Sequence, residues 1–149
     1  MTFHFICRGN NLRSVIAETY LKSLCMPGVM ATSSGTVVDK FAYNNQQYFN
    51  RTLELIKHHG IDAFVKSRPE QTTQASVDNQ DVVICMNKAT FDEATALVKL
   101  PDSTVTWNIT DIGEGDRVAD DNNRQAYEED IYKEVTENVD DLVRQYNLP

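Results

Sequence analysis

The run DVVICM, residues 81–86, restricts the folds open to this chain more than any other stretch. Successive side chains of a strand point to opposite faces, so Val82, Val83, Ile84 and Cys85 in a row need apolar cover on both sides. Such a strand belongs in the middle of a sheet layered between helices. The rest of the chain supplies both kinds of element. Residues 2–7 (TFHFIC) are β-prone and alternate. Residues 29–33 (VMATS) and 103–109 (STVTWNI) read as further strands, the former closed by Ser34, Gly35 and Thr36.

Helical spacing fills the intervals. From Ser14 it runs through Val15, Ile16, Ala17, Tyr20, Leu21 and Leu24, stopped by Pro27 and Gly28. A second helix over about 46–59 carries Tyr48, Phe49, Leu53 and Ile56, with Gly60 as its terminating glycine. Residues 88–98 repeat the spacing through Ala89, Phe91, Ala94 and Leu97. A last helix over about 123–146 repeats it through Tyr127, Ile131, Val135, Val139, Leu142 and Tyr146. The polar segment 67–79 has room for one short helix, and 112–122 (IGEGDRVADDN) is an acidic loop. Strands alternating with helices predict an α/β domain with a parallel sheet and helices on both faces. Ligands of such sheets bind beyond the carboxyl ends of the strands. Without repeat or linker, residues 1–149 read as one domain.

Charge and cysteine usage narrow the function classes. A net charge of -8 argues against nucleic acid, whose phosphates require a basic footprint. No apolar run reaches the length of a membrane span, and MTFHFIC lacks the basic start and apolar core of a signal peptide. Three cysteines (Cys7, Cys25, Cys85) with no CxxC pair suggest a reduced, cytoplasmic protein. His4, His58 and His59 have no zinc-ligand spacing, so no metal or other cofactor is expected.

Cys7 ends the first strand, where a ligand is expected, and Arg13 follows six residues later at the start of a helix. Helix N-termini carry unpaired N–H groups and partial positive charge, and a curled loop before one forms a nest for oxyanions. Gly9 and Asn10 tolerate the positive φ that a curl needs. Arg13 adds a planar fork matched to phosphate oxygens. That field favours the thiolate of Cys7, a nucleophile beneath any phosphate bound by residues 8–14. Ser14 is placed to donate a hydrogen bond to the sulfur. A cysteine closing an apolar strand is usually just buried; here strand, cysteine, Gly-Asn turn, Arg-Ser and helix occur together.

The stretch ICRGNNLRSVIAE resembles the phosphate loop of the low-molecular-weight protein tyrosine phosphatases, with Cys7, Gly9, Asn10, Arg13, Ser14, Ala17 and Glu18 matching. TSSGT (32–36), HGIDAFVKSRP (59–69), DVVICMN (81–87) and WNITDI (107–112) are further echoes along nearly the whole length. The resemblance implies a three-layer α/β/α fold, its four-stranded parallel sheet in the flavodoxin-like order 2-1-3-4. It implies a phosphocysteine formed on Cys7, with oxygens held by Arg13 and the N–H groups of Arg8, Gly9, Asn10, Asn11, Leu12 and Arg13. Asn10 would shape the loop and Ser14 assist the thiolate. Asp111 would be the general acid, ahead of Glu114, Asp116, Asp120 and Asp121 in the same loop. The implied substrate is a phosphotyrosine protein or small aryl phosphate, handled by a monomer or weak homodimer away from membranes.

The chain departs from that pattern at four places. Leu12 stands where many members have a second cysteine, so an oxidised Cys7 lacks an adjacent trap unless Cys25 or Cys85 comes close. Ile112 replaces the proline after the acid, and Gly113 and Glu114 replace the aromatic pair. Val37 and Val38 stand where an aromatic wall is usual, with Phe41 and Tyr43 as late substitutes. Arg8 replaces a small or apolar residue; it either draws acidic substrates to the mouth or is simply solvated. Two other functions share the fold: thioredoxin-coupled arsenate reduction, which normally needs a close cysteine pair, and phosphate binding without catalysis, which needs neither thiol nor acid.

Overall fold

In the computed structural model, which describes residues 1–41 and 44–149, four parallel strands form one sheet in the order β2-β1-β3-β4. They are β1 (Thr2–Cys7), β2 (Met30–Gly35), β3 (Val82–Cys85) and β4 (Val105–Thr106). The helices are α1 (Arg13–Ser23), α2 (Asn45–His58), α3 (Gln74–Val77), α4 (Lys88–Leu97) and α5 (Arg124–Gln145). Short 3-10 turns occupy Val38–Phe41 and Asp62–Phe64. Strand β1 pairs with β2 from Thr2 opposite Met30 to Cys7 opposite Gly35, and with β3 from Phe3 opposite Val82 to Ile6 opposite Cys85.

Every residue of β3 is buried, as its apolar run requires. Its side chains divide between two cores. Phe3, Phe5, Cys7, Val82 and Ile84 face α1 and α5, meeting Ile16, Leu21, Ile131 and Val135. Ile6, Val83 and Cys85 face the other way, against Val77, Ala94 and Val98. Each fully buried Phe or Ile contributes about 1.5–3 kcal/mol. The three-layer arrangement and strand order match the expectation.

Several elements differ from the sequence reading. Strand β2 runs on through Ser34 and Gly35, because both pair with β1. Strand β4 is two residues long rather than seven; beyond it only Trp107 and Ile109 still donate to β3 and its exit, at Cys85 O and Met86 O. Helix α1 is covered nearly all round, by α5 on one side and by Phe49 and Ile56 of α2 on another. It therefore buries Arg13, Ser14, Glu18 and Thr19 as well as its apolar residues. Helix α4 buries Thr90 and Ala94, while Ala89 and Leu97 face solvent. On α5, Glu128 is buried in place of Tyr127, because it takes both forks of Arg51 from α2 at 2.8 Å.

Candidate active site

The loop from Cys7 to Leu12 leaves β1 at the carboxyl edge of the sheet and enters α1 directly. The tight passage is allowed by Gly35 of β2. A Cβ there would lie 2.5 Å from Arg8 O and 2.7 Å from Asn10 N, so only glycine lets the loop rest on the strand. Thr36 N–H donates to Cys7 O and Val37 N–H to Arg8 O, which fixes the loop's start. Asn10 takes the left-handed conformation, φ 51°. Gly9 does not, in contrast to the expectation for that pair; a Cβ there would displace the Asn11 side chain, whose Nδ2 lies too close to that point. Asn11 in turn donates to Asn45 Oδ1 at 2.7 Å, and Asn45 donates to Gly9 O.

Cys7 is buried, with Ser14 Oγ 2.9 Å from Sγ and the Asn10 N–H directed at Sγ at 3.3 Å. Ser14 Oγ also accepts a hydrogen bond from Asn10 Nδ2 at 2.8 Å. A Cys7 thiolate has no hydrogen to give, so with the sulfur ionised the serine hydroxyl is the donor of this contact. Leu12, the residue before α1, provides no side-chain cap for the helix. Among the described residues, the N–H groups of Gly9, Asn11, Leu12 and Arg13 meet no protein acceptor. Donors left open at a helix start suit an oxyanion.

Arg13 is 1% exposed, and so buried a guanidinium must be paired. Nη1 donates to Ile109 O at 2.9 Å and Nη2 to Asp111 Oδ2 at 3.3 Å; Glu114 Oε1 lies 3.8 Å from Nη1. Asp111 is a quarter exposed, and its Oδ1 accepts the Ile112 N–H at 2.8 Å. A proline at 112 would have no such hydrogen to give, so this departure from the family pattern adds a donor to the carboxylate. Glu114 Oε1 accepts from Asp111 N and Asn87 Nδ2, a bracing role. Asp120 instead caps the turn before α5, bonding Asn122 N and Asn123 N. Asp111 and, from the acidic loop that follows it, Glu114 are the carboxylates found within 4 Å of Arg13 among the described residues.

A cleft of about 340 Å³ opens between Gly9, Leu12, Asp111, Ile112, Tyr48 and Arg124. Tyr48 keeps the spacing of the core stripe of α2, yet it is half-buried and lines this cleft, with the Arg124 guanidinium 4.8 Å from its ring centre. It supplies an aromatic face to the cleft. Tyr43 and the side chain of Phe41, the substitutes expected there, lie outside the described residues. Arg8 is no bare cation at the mouth: its Nε donates to Glu93 Oε1 at 2.8 Å.

Two further residues carry the site and were not singled out in the sequence. Ser33 Oγ accepts from Asn10 Nδ2 at 2.9 Å, and Lys66 Nζ donates to Asn10 Oδ1 at 2.8 Å. Ser33 and Lys66 lie in the TSSGT and HGIDAFVKSRP echoes, yet only the tertiary fold places them behind Asn10. The other cysteines do not join the loop. Cys85 faces the opposite core, its thiol pushed up to about 12 by burial, and Cys25 is exposed past the far end of α1. Among the described residues no group of three or more His, Cys, Asp or Glu side chains could hold a metal, and no helix is long and apolar enough to cross a membrane.

Residues 2–147 match the family model described as low molecular weight phosphotyrosine protein phosphatase. No curated protein matches the chain. Solved structures share the fold. Vibrio vulnificus Wzb in complex with benzylphosphonate is 18% identical with TM-score 0.70, covering 97% of each chain. The low molecular weight protein tyrosine phosphatase of Streptococcus pyogenes is 18% identical with TM-score 0.67, covering 97% of this chain and 91% of its own. A Corynebacterium glutamicum thioredoxin-dependent arsenate reductase is 19% identical with TM-score 0.67, covering 97% of this chain and 60% of its own.

Proposed function

Since the chain belongs to the low molecular weight phosphotyrosine protein phosphatase family, we propose that it hydrolyses aryl phosphomonoesters, phosphotyrosine foremost, through a phosphocysteine on Cys7. The observation that carries this reading is the double hydrogen bonding of one buried sulfur, by Ser14 Oγ and Asn10 N, inside a loop of open N–H groups. Binding alone has no use for a thiol held as an acceptor.

In the first step Cys7 Sγ attacks phosphorus and the P–O bond to the phenol breaks. Asp111, at the cleft wall, gives the leaving oxygen its proton. The loop N–H groups and Arg13 hold the three equatorial oxygens as charge builds on them. In the second step water attacks phosphorus, Asp111 takes back a proton, and the S–P bond breaks to release phosphate and thiolate. Tyr48 offers its face to the phenol ring. The benzylphosphonate bound by the Vibrio protein has a methylene between ring and phosphorus, where an aryl phosphate has its ester oxygen. Arsenate reduction of the kind named for the Corynebacterium protein needs a second thiol near Cys7, and neither Cys85 nor Cys25 is placed for it.

We place the protein in a reducing compartment, the cytoplasm, working as one unit over residues 1–149, as a monomer or weak dimer. The reading is tested by p-nitrophenyl phosphate hydrolysis. Wild type is expected to turn over and Cys7→Ser to be inert while still binding inorganic phosphate. An inactive wild type that binds phosphate would leave only the binding function.

A further inference from the structure

Behind the cysteine loop sits a cation that the proposed reaction does not use. The Lys66 side chain is 7% exposed. Its Nζ donates to Asn10 Oδ1 at 2.8 Å, to Ser33 O at 2.9 Å and to Ser33 Oγ at 3.3 Å, and Glu70 Oε1 lies 3.3 Å away. Asn10 Oδ1 also accepts the Glu70 N–H at 2.9 Å. With donors on both its lone pairs, that oxygen cannot trade places with the amide nitrogen. Nδ2 must therefore point the other way, giving one hydrogen to Ser33 Oγ and one to Ser14 Oγ. Ser14 Oγ lies 2.9 Å from Cys7 Sγ and donates to it when the sulfur is a thiolate.

The result is a one-directional chain of donors from an ammonium to a sulfur. Each bond in such a chain polarises the next, and a positive charge at its head favours a negative charge at its tail. We propose that Lys66 is a positioning residue for the nucleophile: it fixes the sense of the Asn10 amide and so keeps Ser14 donating to a Cys7 thiolate. This inference rests on the reading of Cys7 as the nucleophile. The other ionisable groups around Lys66 are His4 from β1, Glu18 from α1 and Glu70 from its own segment. Lys66 adds to burial in lowering His4, and opposes burial at Glu18. Asp111, the partner of Arg13, lines the cleft, which Lys66 does not.

The test is the rate of Cys7 alkylation by iodoacetate as a function of pH, with p-nitrophenyl phosphate kinetics on the same preparations. In Lys66→Met the pH of half-maximal alkylation is expected to rise by about one unit, with kcat/KM at acidic pH falling about tenfold. Lys66→Arg, which keeps the charge, is expected to recover most of both. If Met fails to fold, Lys66→Leu is read the same way, since it too removes both the donor and the charge. A Met or Leu variant with the wild-type alkylation profile overturns the proposal, whatever its activity or melting temperature, and so does an Arg variant that behaves like Met. A wild type that alkylates as an ordinary thiol refutes the nucleophile reading itself; a reactive wild type with an unchanged variant refutes this inference alone.

Discussion

Asp111 Oδ2 lies 3.3 Å from Arg13 Nη2, so 98 residues of chain close on one ion pair at the mouth of the cysteine loop. One member is almost fully buried and the other a quarter exposed. The carboxylate is thus held from within and open to the cleft, as a group that trades protons with a leaving oxygen must be. Asp111→Asn is expected to lower kcat for phenyl phosphate by about 10²–10³, and much less for p-nitrophenyl phosphate, whose leaving group needs little protonation. Glu114→Gln is expected to change both rates alike and by far less. Steady-state rates across a series of leaving groups check this; equal losses for every ester would remove Asp111 from the acid role.

Tyr48 lines the cleft beside Leu12 and Ile112. Tyr48→Ala is expected to raise KM for aryl phosphates several-fold, the scale of one aromatic contact of about 1 kcal/mol, while a small alkyl phosphate shows no change. Parallel kinetics on the two substrate types decide it. Equal effects would mean that the ring only supports the helix.

His4 is buried, with Thr32 Oγ1 at 2.6 Å and Ser34 Oγ at 2.8 Å from its two ring nitrogens. Burial, then the Lys66 charge, lower it from 6.5 to about 4. The folded state therefore binds this proton less readily than the unfolded chain. Its contribution is intact above pH 6.5 and is lost as pH falls through that window towards 4, by about 3 kcal/mol. Glu18 is raised, chiefly by burial, and has the opposite sign: its stabilisation is present at low pH and lost as pH rises through its folded value. Urea unfolding between pH 7 and 4.5 should show a falling limb for wild type and a flatter one for His4→Gln. Parallel curves would assign the acid lability elsewhere.

Peroxide is expected to inactivate the enzyme in a way thiols do not reverse. Leu12 offers no second sulfur in the loop. Cys85 lies across the sheet, and the 11-residue α1 separates Cys25 from the site by roughly 16 Å. Mass spectrometry of the Cys7 peptide after peroxide should find two or three added oxygens with no disulfide to Cys25 or Cys85. Recovery of full activity with dithiothreitol would contradict this.

The layers, the strand order and the cysteine loop were legible because each rests on local signals: a doubly covered strand, turn residues, and a thiol and a guanidinium on either side of a helix start. The rest depended on distant segments meeting. The burial of α1 on nearly every side follows from α2 and α5 both closing on it, which no spacing within Arg13–Ser23 encodes. Strand β4 shrank because an edge strand with one neighbour needs few ladder bonds before its chain turns to give Ile109 O to Arg13. Tyr48 keeps helical register with Thr52 and Leu55, so periodicity alone assigns it to the core; its polar tip is the one hint otherwise.

The Arg51–Glu128 bidentate pair rivets α2 to α5 about one turn beyond the residues that flank the cleft, Tyr48 on one helix and Arg124 on the other. The slot's aperture is thus gauged by a bolt that never meets the substrate. Selectivity and chemistry are therefore expected to be separable in this scaffold: resizing the bolt should change which phosphoesters enter while Cys7, Arg13 and Asp111 keep their spacing.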